Sequence, residues 1–129
     1  MIDQFFISFT AAYRVAQIRV VFSMSKAAQA HLFQTHPPPD YLAYVEWFTP
    51  FRREPEPKSG LYRVARSYLE DFRLVEIIPL TSIVQSIHLI PLPGETIPRN
   101  WRSNTVIEEC HNFIVNTFSD CRTYVLFNL

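Results

Sequence analysis

Hydrophobic and polar residues alternate along most of this chain, a period typical of β-strands with one buried face. The alternation is clearest in RVAQIRVVFS (14–23), where it predicts that Ala16, Ile18, Val20 and Phe22 share one face. Similar patterns predict further strands at 41–48, 61–67, 72–79, 81–91, 113–118 and 122–127. The last two are predicted to form a hairpin. This number of short strands predicts a mostly β fold, a small antiparallel β-barrel.

One or two short helices are predicted between the strands. SKAAQAHLF (25–33) has Ser25 as its predicted N-cap and is rich in helix-favouring alanines, and a following triple proline ends it. A second helix of one or two turns is predicted over TVIEEC (105–110). Glu70 and Asp71 predict a turn between two strands.

The length of 129 residues is suited to one domain and is short for two. Hydrophobic residues at 48% and charged residues at 19% indicate a globular chain. We expect a single domain over 1–129, with the barrel at 13–127. Residues 1–12 are expected to be an arm that adds to a sheet edge, or a poorly ordered leader. Prolines cluster at 36–40 and 49–60 and mark connections. With only two glycines, the chain has no glycine-rich phosphate loop.

The charges balance, with twelve basic and twelve acidic residues, which weakens the case for a protein built mainly to grip phosphate backbones. Ten of the twelve basic residues are arginine, which pairs with carboxylates and stacks on aromatic rings. The N-terminal apolar run contains Asp3, has no basic flank and is too short for a signal peptide or a membrane span. We therefore expect an intracellular chain, cytoplasmic or nuclear, without membrane contact.

Glu46 stands among aromatic residues in LAYVEWFTPF (42–51), and two interpretations are open. On a strand, one face carries Tyr44, Glu46 and Phe48, and the other carries Ala43, Val45 and Trp47. In the first interpretation, the face bearing Trp47 is core and Glu46 lies on a solvated or arginine-paired face. In the second, an aromatic pocket binds a cation of a peptide, with Glu46 as the counter-charge, as methyl-lysine readers do. The candidate residues of this peptide pocket are Tyr44, Glu46, Phe48 and Tyr62.

Four arginines are candidates for contact with nucleic acid or another acidic partner: Arg52, Arg53, Arg99 and Arg102. The first two also suit a mixed-charge solvated loop, because acidic residues follow them directly. The other two flank Trp101, which suits either base stacking or the anchoring of a long loop.

No catalytic group, metal site or cofactor is predicted. Zinc needs four close ligands, whereas here Cys110 and His111 are adjacent and Cys121 stands alone. The two cysteines can pair if their flanking segments run antiparallel, but reduced, buried thiols are expected in an intracellular chain. The carboxylates are scattered over loops and turns, which does not suit metal-dependent or acid–base chemistry.

Several segments resemble the C-terminal region of transposase-like proteins of basidiomycete fungi, the Plavaka and KDZ-type elements. The segments are IRVVFS, LAYVEWFTPF, GLYRVARS, IIPLTSIVQSIHLIP and PRNWRSNTVIEEC-x-x-FIVNTFSD-x-x-x-YV. The resemblance covers about 13–127, and its most specific parts are AYVEWF and FIVNTFSD. In that family the catalytic core lies upstream of this region. The resemblance therefore implies an accessory domain, nuclear rather than cytoplasmic, that contacts chromatin, DNA or a protein partner.

A weaker likeness, at the level of fold, is to bromo-adjacent homology (BAH) domains. The segments that match are VEWF (45–48), PLTSI (79–83) and the hairpin from Phe113. The predicted fold is thus an SH3/BAH-like barrel, and the predicted function is a non-catalytic interaction module. Two alternatives stay open. One is a structural remnant that packs on a missing domain or forms a homodimer through exposed apolar surface, and the other is a nuclease or transposase fragment with its own chemistry.

Overall fold

The computed structural model describes residues 5–9, 13–33, 35–36, 38–92, 99, 102 and 106–116. Over these residues the fold is mostly β, as predicted. Its elements are β1 (Phe5–Phe9), β2 (Tyr13–Phe22), α1 (Lys26–Leu32), β3 (Leu42–Trp47), β4 (Arg63–Ala65), β5 (Tyr68–Leu69), β6 (Phe72–Arg73), β7 (Val75–Pro79), β8 (Ile83–Ile87), β9 (Leu89–Leu92), α2 (Val106–Glu109) and β10 (Asn112–Val115). A 3₁₀ turn, Leu80–Ser82, connects β7 to β8.

The strands form a five-stranded sheet of order β7-β3-β2-β1-β8, a three-stranded sheet of order β4-β10-β9 and the small hairpin β5-β6. All the pairings are antiparallel. Among the described residues these pairings leave each sheet open, so the closed barrel stays a prediction. Part of the segment expected to be an arm or a leader is β1, which lies inside the larger sheet between β2 and β8.

The two faces of the five-stranded sheet are set by β3. Ala43, Val45 and Trp47 point to one side, here called the Trp47 face, and Tyr44 and Glu46 point to the other, the Glu46 face. This separation is as predicted. On the neighbouring strand, Ala16 pairs with Trp47, while Gln17 pairs with Glu46.

The prediction that Ala16, Ile18, Val20 and Phe22 share one face is wrong, because β2 contains a bulge. The register skips between Ile18 and Val20, which leaves Arg19 as an extra residue opposite β3. An extra residue reverses the alternation beyond it. Ile18 therefore lies on the Trp47 face, whereas Val20 pairs with Tyr44 on the Glu46 face.

Two clusters of buried side chains form the core. One covers the Trp47 face and consists of Ala16, Ala43, Val45, Trp47 and Ile78. The other lies between the Glu46 face and the three-stranded sheet and consists of Val15, Phe48, Val64, Ile87, Leu89, Cys110, Phe113 and Val115. Its two phenylalanine rings meet edge to face, with centroids 5.6 Å apart. A single residue, His88, separates β8 in the larger sheet from β9 in the smaller one.

The predicted helix cap, turn and second helix agree with the structure, whereas the strands predicted at 72–79 and 81–91 are each divided into two. The hydroxyl of Ser25 accepts a hydrogen bond from the backbone N–H of Ala28 at 3.2 Å and so caps α1. Glu70 adopts a positive φ of 58° in the two-residue turn of the β5-β6 hairpin, a conformation such turns require. The second helix is present as α2. The predicted C-terminal hairpin lies mostly outside the described residues, and among those described no helix is long and apolar enough to cross a membrane.

The difference in burial between Phe113 and Phe72 predicts a sharp contrast between their alanine variants. Phe113→Ala removes a fully buried ring and leaves a cavity, so we expect the free energy of unfolding to fall by about 3–5 kcal/mol in urea titrations. Phe72→Ala is the matched control, because that side chain is 77% exposed, and its effect should stay within about 0.5 kcal/mol. Equal losses for the two variants would contradict the assignment of the core.

Candidate functional site

The carboxylate of Glu46 is held by arginines of its own chain. Its Oε1 lies 3.0 Å from Arg19 Nε, and its Oε2 lies 2.9 Å from Arg73 Nη1 and 3.4 Å from Arg66 Nη1. The arginine-paired interpretation of Glu46 therefore describes its surroundings. Regular alternation from Gln17 puts Arg19 on the Glu46 face, and the bulge makes Arg19 the extra residue of β2 there.

Glu108 of α2 completes this group. Its Oε1 lies 2.7 Å from Arg19 Nη2 and its Oε2 lies 2.7 Å from Arg73 Nη1, while Arg73 Nη2 donates to the backbone oxygen of Glu108 at 3.2 Å. We call Arg19, Glu46, Arg66, Arg73 and Glu108 the Arg–Glu cluster. It joins β2, β3, the β5-β6 hairpin and α2, and it carries one more positive than negative charge.

Arg66 is the buried member of the cluster, and only 4% of the residue is exposed. Its guanidinium carbon lies 4.7 Å from the centroid of the Phe48 ring, so it stacks on the core aromatic as well as pairing with Glu46. Burial, together with the nearby charge of Arg73, lowers the pKa of Arg66 to about 10. The side chain thus remains charged at neutral pH and depends on its anionic neighbour.

The other pKa shifts follow from the same contacts. Burial by itself lowers the pKa of Arg19 and of Arg73, but their hydrogen bonds to the two glutamates outweigh burial, so both pKa values are raised. Burial by itself raises the pKa of Glu108, but hydrogen bonds from Arg73 and Arg19 outweigh it and lower that pKa below its usual 4.5. The contacts among Arg19, Arg73 and Glu108 therefore favour the charged form of each of these three groups.

The four candidates for a peptide pocket do not line one accessible cavity. Tyr44 and Glu46 do share a face, as predicted, but Glu46 meets three arginines where the pocket hypothesis needs it to face a ligand. Phe48 is fully buried, so its place in an accessible pocket is corrected to a place in the core. Tyr62 is half-buried and packs edge to face on Phe51, with centroids 5.8 Å apart.

The four candidate arginines, Arg52, Arg53, Arg99 and Arg102, are all exposed. A shallow depression of about 70 Å³ adjoins the first of them and is lined by Arg52, Glu54, Pro55, Glu56, Pro57 and Arg63. Arg63 Nη1 lies 3.7 Å from Glu56 Oε1, so acidic side chains offset part of the positive charge there. Trp101, the proposed stacking partner, lies outside the described residues.

A row of apolar side chains on the Glu46 face was not predicted as a unit. Val20, Tyr44 and Ile77 are register partners on β2, β3 and β7, and partners in an antiparallel sheet point to the same side. Val20 is 52% exposed, Ile77 is 55% exposed, and Tyr44 is half-buried. Val75, also exposed, lies on the same face of β7. We call the first three residues the apolar row.

The buried thiol of Cys110 donates hydrogen bonds to the backbone oxygens of Asn112 at 3.0 Å and of Leu92 at 3.3 Å. Cys110 is a free thiol, as expected, and Cys121 lies outside the described residues. In the part of the chain that the structure describes, no three of the His, Cys, Asp and Glu side chains are grouped so that they could hold a metal ion.

Comparison with known proteins finds no family model, no curated protein and no solved structure that matches this chain. The geometry of the Glu46 face is therefore the basis for inferring what the protein does.

The Arg–Glu cluster predicts that Glu46 matters for stability. Glu46→Gln removes the charge shared by three guanidinium groups and leaves the buried Arg66 without the carboxylate that pairs with it, so we expect the free energy of unfolding to fall by about 3 kcal/mol. Glu56→Gln is the control, because its single ion pair with Arg63 is solvated and should contribute less than about 1 kcal/mol. Urea titrations of the two variants measure the difference, and equal losses would contradict the special position of Glu46.

The lowered pKa of Glu108 predicts how stability depends on pH. A carboxyl group with a lowered pKa in the folded state stabilises the fold above its unfolded pKa, and this contribution is lost as the pH falls through the folded value. The difference in unfolding free energy between wild type and Glu108→Gln should therefore shrink below about pH 4.5. Glu109→Gln, a change to the exposed neighbour in α2, controls for net charge. A wild-type to Glu108→Gln difference that stays constant from about pH 7 to about pH 3 would contradict the prediction.

Proposed function

We propose that this protein is a non-catalytic interaction module that binds a protein partner through the apolar row of its Glu46 face. The observation that carries the proposal is that two of the three side chains in the row, Val20 and Ile77, are more than half exposed, whereas core side chains of the same face are buried, namely Val15, Phe48 and Ile87. Apolar side chains that are grouped and solvent-exposed on a rigid sheet mark a contact surface.

The charges beside the row support a binding role rather than chemistry. Acid–base catalysis needs a carboxylate that is free to exchange a proton with a substrate. The carboxylates of Glu46 and Glu108 both accept hydrogen bonds from arginines, so the cluster fixes the surface in place. The charged rim that the ion pairs of Arg19 and Arg73 give to the row suits a partner with a polar edge around an apolar centre.

The resemblance to the C-terminal region of transposase-like proteins adds a context to the proposal. An accessory domain of such a protein works in the nucleus and contacts chromatin-associated proteins. We include in the proposal the SH3- or BAH-like closed barrel, which the antiparallel order of the five-stranded sheet supports. In this proposal Tyr44 keeps its predicted role in peptide binding, whereas Phe48 is part of the core.

Contact with DNA is a second candidate, supported by the exposure of all four candidate arginines. The balance of charge over the whole chain argues for the protein partner instead, because protein surfaces that grip DNA carry a strong excess of positive charge.

An array of histone peptides tests the proposal with Tyr44→Ala. We expect wild type to bind a subset of peptides and Tyr44→Ala to lose most of that signal, because the centre of the apolar row is gone. Tyr41→Ala is the matched control: Tyr41 is exposed just before β3, and it contributes to the fold through its backbone oxygen, which accepts from Leu80 N–H.

Titration of the same proteins with duplex DNA over a range of salt concentrations separates the two candidates. A steep fall of affinity with salt, reduced in an Arg52→Ala, Arg53→Ala double variant, would favour the DNA candidate. Equal peptide signals from wild type and Tyr44→Ala would contradict the proposed role of the apolar row. Silence in both assays would favour the structural remnant.

A further inference from the structure

The outer edge of β7 offers a regular set of backbone groups to another strand. β7 ends the order β7-β3-β2-β1-β8, and among the described residues no strand pairs with its outer side. Trp47 N–H donates to Leu74 O at 2.9 Å and Leu80 N–H donates to Tyr41 O at 3.1 Å. Between these two bonds, the backbone N–H and C=O groups of the even-numbered residues, Glu76 and Ile78, therefore point toward β3. Because the direction alternates in an antiparallel pair, the N–H and C=O groups of Val75 and Ile77 point outward.

Two further features show that β7 is suited to the edge and unguarded there. The backbone of Pro79, like that of Val75 and Ile77, points outward, so the N–H that proline lacks would lie on the outer side of β7. Edge strands tolerate proline at such a position. The one charged residue of the strand, Glu76, accepts a hydrogen bond from Trp47 Nε1 at 2.8 Å on the Trp47 face. Its charge is thus held against the sheet instead of projecting from the edge, where charges block further pairing.

We propose that β7 pairs with β7 of a second copy of this chain, antiparallel and about a two-fold axis at Ile77. In this register Ile77 lies opposite Ile77 of the second copy, and Val75 lies opposite Pro79. Each Ile77 N–H then donates to the other Ile77 C=O. Each Val75 N–H meets the other Pro79 C=O, which already accepts a hydrogen bond from the Ser82 hydroxyl at 2.7 Å and keeps a second lone pair for the new donor. The proline costs this pairing only the donor that it lacks.

The neighbouring registers of this strand pair are less favourable. A shift of the axis to Glu76 places the two Glu76 carboxylates directly opposite each other, which repels. A shift to Val75 brings Ile77 opposite Arg73, which is already paired with Tyr68 in the β5-β6 hairpin. A shift to Ile78 leaves only the bonds between Ile77 and Pro79.

The pairing also completes the surface described above. With Ile77 at the axis, the apolar row of one copy continues into that of the other, so six side chains cross a continuous ten-stranded sheet on the Glu46 face. The inference goes beyond the proposed function, since it assigns a partner to a backbone edge and not to the row itself. The zero formal net charge of the chain presents no overall repulsion between two copies.

Light scattering after gel filtration, from micromolar to millimolar concentration, tests the proposal by mass. We expect wild type to approach twice 15.1 kDa as concentration rises. Ile77→Lys and Ile77→Glu should each be monomeric, because each places two like charges at the axis. An equimolar mixture of these two variants should recover the dimer, because opposite charges then meet. Circular dichroism and thermal unfolding confirm that each variant is folded.

Val84→Lys is the matched control, an exposed aliphatic residue on β8 at the other end of the sheet, and it should dimerise like wild type. A monomeric wild type at every concentration would overturn the proposal. So would a dimer that survives Ile77→Lys, a mixture that stays monomeric, or a Val84→Lys variant that loses the dimer. The peptide array tests the proposed function separately. Peptide binding by a protein that stays monomeric would contradict only the dimer, and a dimer that binds no peptide would contradict only the proposed function.

Discussion

The sharing of one carboxylate by three guanidinium groups is the interaction on which this structure depends. Glu46 occupies the position where the five-stranded sheet stops being covered by the smaller sheet. Arg66 enters that boundary almost fully buried, and its burial is tolerable only because an anion and the face of Phe48 receive it. Arg19 and Arg73 then tie the bulged strand and the β5-β6 hairpin to the same point, and Glu108 adds α2.

The cluster also decides what the Glu46 face can offer to a partner. On one side of the cluster the face is sealed by core side chains, and on the other side the apolar row is exposed. The bulge at Arg19 contributes to the exposed row, because it moves Val20 onto the face that carries Glu46. A surface with a charged boundary and an apolar interior has the composition that the proposed contact surface needs.

The sequence predicted the features that depend on neighbouring residues. Ser25 caps its helix, Glu70 turns its hairpin and β3 presents two distinct faces, since each of these follows from local chemistry or from the period of two. The partners of Glu46 were beyond such reasoning, because Arg66 and Arg73 lie 20 and 27 residues away and are brought close only by strand register. The bulge escaped prediction as well, because an extra residue leaves the apolar count of a strand unchanged. The burial of Phe48 was not predicted, because alternation gives the side of the sheet on which a residue lies but not what covers that side.

β8 and β9 belong to different sheets and are joined by a single residue, His88, which has a mechanical consequence. One residue spans at most about 3.6 Å, so β8 and β9 cannot move apart without one of them detaching from its own sheet. Separate melting of the two layers is thereby discouraged, and the domain should lose its amide protection as one cooperative unit rather than sheet by sheet.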